Sequence, residues 1–181
     1  MGVLALQGAF QLHQAHVEAA GAEYVEVVTA TELEKIHGLI LPGGESGVML
    51  KLIASVGLSR DLLEFVKTKP TWGICAGAIL LAKKVLNPNQ DSLGVLDIEI
   101  ERNAYGRQLE SIHEMAAEYE VSYIRAPRIK SAGDKVQVYW KREGHPAWVE
   151  SGTLMATTFH PETNAALPSP WHLRLLKKIQ S

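Results

Sequence analysis

TWGICAGAILLAKKVL, residues 71–86, decides how the chain is read. TWGI is a short apolar run with the look of a buried strand, and AGAILLAKKVL reads as a helix. Between them stands Cys75, one residue from Gly73 and one from Gly77. A strand that becomes a helix across a single residue belongs to α/β architecture. The pattern G-x-C-x-G is the cysteine form of the nucleophile elbow. Such a corner needs small neighbours, because strand and helix approach closely while the central side chain projects from the sheet top. It sets the sulfur over the first turn of a helix, where the positive dipole end favours thiolate. The N–H of Ala76 faces the same space and can serve a developing oxyanion. The plainer reading is that Cys75 is a small buried hydrophobe, the usual fate of a free cysteine.

Upstream of this corner, strands and helices alternate. VLAL (3–6) ends at Gln7-Gly8, and AFQLHQAHVEAAG follows as a helix stopped by Gly21. YVEVV (24–28) is strand-like, and Thr31 with Glu34 has the spacing of a capping box. GLILPGG (38–44) is a buried strand closing in a turn. Residues 46 to about 67 form a helical stretch broken near Gly57. The βαβαβαβα order predicts a three-layer, flavodoxin-like α/β fold with a mainly parallel sheet flanked by helices. Gln7, the Gly43-Gly44-Glu45-Ser46 turn and Cys75 each follow a strand, so they should meet at the carboxyl edge of that sheet. The second half adds further strands at 95–101, 121–124, 135–141, 147–151 and 153–159. Turns near His145-Pro146 and Ser151-Gly152 point to antiparallel pairing. PWHLRLLKKIQ is a closing helix, and Arg174, Lys177 and Lys178 read as its solvated end. With 181 residues, no repeat and no linker, one domain over 1–181 is the simplest organisation.

A formal net charge of -2 gives no electrostatic footprint for nucleic acid. The uncharged stretch from Pro70 to Ala82 is too short to span a membrane. A single cysteine excludes an intrachain disulfide framework and a multi-cysteine metal site. With no signal-peptide pattern at the start, a reducing cytoplasm is expected.

A cysteine nucleophile needs a base and a group to orient it. Among seven histidines, His160 ends the apolar run TLMATTF and is followed by Pro161 and Glu162. The carboxylate two residues on can turn back to the imidazole and fix its tautomer. Alone, His160 would pass for a loop residue and Glu162 for a solvated carboxylate. Beside the cysteine corner they read as its partners. His13 and His16, in the first helix, and His172, in the last, carry no such pattern. In LPGGES, paired glycines after a strand can form an anion-binding nest, or the segment is a plain turn with Ser46 as helix N-cap.

Together, GICAG, FHPE and LPGGES resemble the class I (triad) glutamine amidotransferases. GVLALQG, ERNAYGRQ (101–108) and YIRAP narrow the resemblance to the glutaminase subunit of the pyridoxal 5'-phosphate synthase complex. The resemblance implies Cys75 as nucleophile, His160 as general base and acid, and Glu162 as its orienting partner. It implies glutamine contacts from Gly44, Glu45, Ser46, Arg102, Ile124 and Arg125, and an oxyanion hole from the backbone of Gly43, Gly44 and Ala76. L-glutamine would be the substrate, with no metal or organic cofactor. Ammonia would pass to a separate (β/α)8-barrel synthase subunit, whose docking switches the glutaminase on. The family usually has two threonines after GGES, where this chain has Gly47 and Val48. A stand-alone cysteine hydrolase or γ-glutamyl peptidase of the same fold, and a non-catalytic regulatory partner of the synthase, are the competing readings.

Overall fold

The computed structural model describes residues 1–104 and 111–181, so the part of ERNAYGRQ from 105 to 108 lies outside the described residues. The first half runs β1 (Gly2–Leu4), α1 (His13–Ala19), β2 (Val25–Val27), α2 (Ala30–Leu33), β3 (Leu39–Leu41), α3 (Ser46–Ser55), α4 (Ser59–Thr68), β4 (Thr71–Ile74) and α5 (Ala76–Leu81). The second half adds β5 (Ala82–Leu86), β6 (Leu96–Glu101), β7 (Ile112–Ala116), β8 (Tyr119–Tyr123), β9 (Arg128–Ala132), β10 (Gln137–Arg142), β11 (His145–Ser151), β12 (Leu154–Thr157) and α6 (Pro170–Gln180).

A seven-stranded sheet of order β10-β11-β12-β4-β3-β1-β2 forms the middle layer. Its five strands from β12 to β2 run parallel, and β10 and β11 extend it antiparallel. Strand alternation divides the core. Val3, Ile40, Trp72, Ile74 and Met155 pack on one face with Val17 of α1 and with Trp171 and Leu175 of α6. Leu4, Leu39, Leu41, Leu154 and Ala156 pack on the other with α3, α4 and α5. Such runs, apolar on both faces, are what a parallel sheet between helical layers requires. A small sheet β5-β6-β9 and the β7-β8 hairpin lie beside the main one.

Several local expectations shift. The helix expected over AGAILLAKKVL ends at Leu81, and AKKVL is β5. Pairing with β6 overrides helix propensity there, and Lys83 and Lys84 reach Asp97 and Glu99 at 2.9 and 2.7 Å. The capping box sits two residues earlier than expected. Thr29 is the N-cap, and its backbone N–H donates to Glu32 at 2.8 Å. The turn before β11 falls at Glu143-Gly144, with His145 and Pro146 inside the strand. The cations of α6 are not simply solvated. Arg174 and Lys178 hold the buried carboxylate of Glu150 at 3.0 and 2.9 Å. β7 and β9 carried no clear sequence pattern. Among the described residues, no helix is long and apolar enough to cross a membrane.

Candidate active site

β1, β3, β4 and β12 end at the same edge of the parallel sheet, and each delivers a segment to one place. Those segments hold Gln7, the Gly43–Ser46 turn, Cys75 and His160. Cys75 takes φ 50° and ψ -100°, a left-handed conformation that costs a side-chain-bearing residue about 1–3 kcal/mol. The surroundings enforce it. Its N–H donates to Thr157 O at 2.8 Å, and its carbonyl accepts from Ile79 N at 3.2 Å. The two flanking glycines are steric necessities. A Cβ on Gly73 would lie 2.5 Å from the Gly77 backbone, and one on Gly77 only 2.0 Å from Leu41 O. Strand β4, helix α5 and strand β3 thus touch through backbone. Ala76 opens α5, so its N–H has no acceptor within the helix.

Beneath the sulfur lies His160, held in extended backbone by paired bonds with Ser122. Its Nδ1 is 2.7 Å from Glu162 Oε1, which leaves Nε2 for Cys75. Pro161 starts the short 3-10 turn that brings Glu162 back under the ring. Glu162 is not solvated, since only 4% of it is exposed. Burial pushes His160 toward neutrality. The Glu162 carboxylate, and then Cys75 by charge and hydrogen bond, outweigh that and hold the imidazole well above its usual range. Burial likewise pushes Glu162 up, and His160 more than reverses it, so the carboxyl sits below its ordinary value.

In front of Cys75 is a cavity of about 110 Å³, lined by Gly44, Glu45, Ser46, Ala76, Arg102 and Ile124 with Arg125, Ile79 and Asn103. Water in the liquid occupies about 30 Å³ per molecule, so the space suits a small polar molecule. The Arg102 guanidinium donates to Glu45 Oε1 at 2.7 Å, and both face the cavity. Arg125 also adopts a positive φ, 46°, in the turn after β8. Two lining residues therefore hold backbone conformations that only the surrounding fold can impose. Ser46 is not the N-cap of α3. Glu45 is, accepting from Val48 N at 3.0 Å, and the Ser46 hydroxyl donates to Gln90 at 3.0 Å. Gly43, like His160 and Glu162, does not line the cavity. Its carbonyl accepts from Ala9 N, and a Cβ on it would sit 2.2 Å from His160 Cε1, so it packs against the imidazole. The Gln7 amide oxygen accepts from Glu45 N at 2.9 Å, which pins the turn.

The sequence matches the SNO glutamine amidotransferase family over residues 3–167. The chain belongs to that family. A curated relative from Koribacter versatilis, named pyridoxal 5'-phosphate synthase subunit PdxT, is 50% identical over 168 residues, which is 90% of this chain and 87% of the relative. One of the same name from Solibacter usitatus is 47% identical, covering 90% and 91%. A crystal structure described as a glutamine amidotransferase superposes with a TM-score of 0.89 at 36% identity, covering 99% of this chain and 98% of that one. The glutamine amidotransferase fold thus accounts for the parallel sheet, the corner and the crevice together.

Sequence reasoning missed Ile79 and Asn103 at the cavity and Gln90 behind Ser46, and it gave His13, His16 and His172 no role. All three histidines are buried. Among the described residues, no group of three His, Cys, Asp or Glu is arranged to hold a metal ion.

Proposed function

We propose that the chain is the glutaminase subunit of a pyridoxal 5'-phosphate synthase, working as one domain over 1–181. It hydrolyses L-glutamine to glutamate and ammonia, and hands the ammonia to a (β/α)8-barrel synthase subunit. The observation that carries this reading is the line Cys75–His160–Glu162 beneath a small cavity rimmed by one carboxylate and two guanidinium groups. Free glutamine carries an α-carboxylate and an α-ammonium, and Arg102 or Arg125 and Glu45 complement them.

The Cys75 thiolate attacks the side-chain amide carbon of glutamine, and the carbonyl oxygen becomes an oxyanion. The Ala76 N–H and the Gly43-Gly44 backbone receive that charge. The imidazolium of His160 gives its Nε2 proton to the amide nitrogen, the C–N bond breaks, and ammonia leaves a γ-glutamyl thioester on Cys75. Neutral His160 then takes a proton from water as the hydroxyl adds to the thioester. Collapse releases glutamate and restores the thiolate. Glu162 keeps the imidazole in the tautomer that faces Cys75 and stabilises its charged form. These steps use side chains and backbone alone. Thiolate chemistry of this kind suits a reducing cytoplasm.

The test is glutamate release from L-glutamine by the chain alone and mixed with a barrel synthase subunit, beside Cys75→Ala. Release that rises on mixing and is lost in the variant supports the proposal. Binding without release would reassign the chain as a regulatory partner, and release indifferent to the synthase would make it a stand-alone hydrolase.

A further inference from the structure

Behind Glu162, on the side away from the cavity, the interior is occupied by polar rings. His13 of α1 and His172 of α6 are both fully buried, 159 residues apart in sequence, with His13 Nδ1 2.9 Å from His172 Nε2. The other nitrogen of His172, Nδ1, is 2.6 Å from Ser169 Oγ. The Ser169 hydroxyl oxygen also accepts from His172 N at 3.4 Å as the cap of α6. His16 stacks on His172 at 4.6 Å between ring centroids, and its Nδ1 accepts from Ser169 N at 3.1 Å. At the near end, His13 Nε2 is 4.0 Å from Glu162 Oε1 and has no hydrogen-bond partner among the described residues; Glu162 Oε2 has none either. Two helices that do not line the cavity, α1 and α6, thus converge on the buried carboxylate.

Burial pushes His13 down to about 4 and His172 well below its usual range, so both rings are neutral near pH 7 and each carries one proton. The protons can then run in two directions. In the first, Ser169 donates its hydroxyl proton to His172 Nδ1, His172 Nε2–H donates to His13 Nδ1, and His13 Nε2–H faces Glu162. Every polar hydrogen in the row then points at an acceptor or an anion. In the second, His13 Nδ1–H donates to His172 Nε2 and His172 Nδ1–H donates to Ser169. The serine hydroxyl proton loses its acceptor in this row, and the bare lone pair of His13 Nε2 confronts a buried carboxylate at 4.0 Å. In a low-dielectric interior that repulsion is costly, and the first direction removes it.

We propose that Ser169, His172 and His13 form a directed hydrogen-bond row that turns an N–H of His13 onto Glu162 and holds that carboxylate in place under His160. They are positioning residues, acting through Glu162 rather than on substrate. At 4.0 Å the last step is an oriented dipole against a charge rather than a full hydrogen bond. It keeps one oxygen of Glu162 aligned with His160 Nδ1 without competing for it. The kinetic consequence rests on the glutaminase reading, whereas the arrangement of protons does not.

Two measurements on the full chain decide it. In wild-type protein with 15N-labelled histidine, NMR at pH 7 should find His13 and His172 neutral with the proton on Nε2. The Nε2 signal of His13 should shift when Glu162 is replaced by Gln. An Nδ1–H form of His13, or a His13 signal indifferent to Glu162→Gln, overturns the proposal whether or not the chain proves to be a glutaminase. In the synthase-activated assay, His13→Leu should lower kcat about tenfold, the low end for losing a charge-directed donor, with KM for glutamine within about twofold. His13→Gln, whose side-chain NH2 occupies the place of Nε2–H, should recover most of that loss. Leucine and glutamine variants that are equally active, or equally impaired at equal thermal stability, would leave only a packing role and overturn the proposal. A wild-type chain without glutaminase activity would sink the functional reading, and the tautomers would still decide this one.

Discussion

The two sides of the Cys75–His160–Glu162 line are built on opposite principles. The front wall, toward the cavity, is made of loop residues and the first turns of α3 and α5, with charges that reach solvent. The Glu45 side chain is 49% exposed and that of its partner Arg102 20%. The rear wall has no exposed charge. His13, His172 and Glu162 are sealed between α1, α6 and the turn after β12, and the histidines stay neutral. An exposed ion pair contributes about 0–1 kcal/mol to stability and can open at little cost. A buried carboxylate with one strong partner has nowhere else to go, so any displacement is expensive. A front that yields and a rear that does not is the arrangement expected where a substrate must enter while the group orienting the base stays fixed.

Breaking the rear wall at its centre should have the largest effect. Glu162→Gln keeps the shape and removes the charge that raises His160. In the synthase-activated assay, kcat should fall by about 10³–10⁴-fold with KM little changed, the scale seen when the orienting carboxylate of a triad is neutralised. A loss under tenfold would mean that Cys75 and His160 form a working pair without Glu162.

The sealed rear should also show in acid. His13 and His172 bind protons more weakly folded than unfolded, so the stability this gives is complete above the unfolded value near 6.5 and is lost as pH falls. For His13, lowered to about 4 and facing Glu162, His16 and His160, the loss down to pH 4 is about 3 kcal/mol. His160 has the opposite sign. Its contribution is present below 6.5 and fades as pH rises, so it does not offset the acid loss. Urea unfolding between pH 7.5 and 4 should find this slope, and His13→Gln should flatten it. A flat profile between 6.5 and 5 would mean that the buried histidines are already charged.

The unequal legibility of the two walls has a physical cause. The corner at Cys75 could be read because steric demands are local. Gly73 and Gly77 are needed within two residues of the cysteine, and the sequence prints them side by side. The gathering of Gln7, the Gly43–Ser46 turn and Cys75 followed from strand order, since parallel strands deliver their carboxyl ends to one edge, whereas His160 was joined to them by its Pro-Glu context and its strand proves to pair parallel with β4. The rear wall was illegible because His13 and His172 meet only through the packing of the short first α-helix on the last, and neither carries a local signature. β5 was misread for a related reason. AKKVL has helix propensity, and the partner strand that overrides it begins ten residues after the segment ends. The motif suggests the Gly43 backbone as an oxyanion donor but not its packing against the His160 ring, a contact across 117 positions.

On the front wall, Arg102→Met should separate binding from folding. Its ion pair with Glu45 is partly exposed, so thermal stability should hardly change. If Arg102 meets the charged end of glutamine, KM should rise about tenfold with kcat nearly constant, as for an interaction shared by ground and transition states. A matching fall in kcat would show that Arg102 also shapes the reacting geometry, which would make the front less yielding than its exposure suggests.

The smallest effect tests the same point from the backbone. Gly47, the second residue of α3, gives the first turn more freedom than any other residue would. A Cβ there would lie 3.3 Å from Glu45 Oε2 and 3.6 Å from Gln90 Oε1. That is a tight contact against the end of a long, half-exposed side chain, which can move aside by a few tenths of an ångström. Gly47→Ala should therefore stabilise the chain by about 0.5 kcal/mol through the lower entropy of the unfolded state, a rise in Tm of about 1–2 °C for a chain of this size. Calorimetry would read it, with KM for glutamine as the companion measurement. A lower Tm would mean that the Glu45 carboxylate is held too firmly by Val48 N and Arg102 to give way. The front wall would then be as fixed as the rear, and entry of substrate would have to depend on movement elsewhere than at the start of α3.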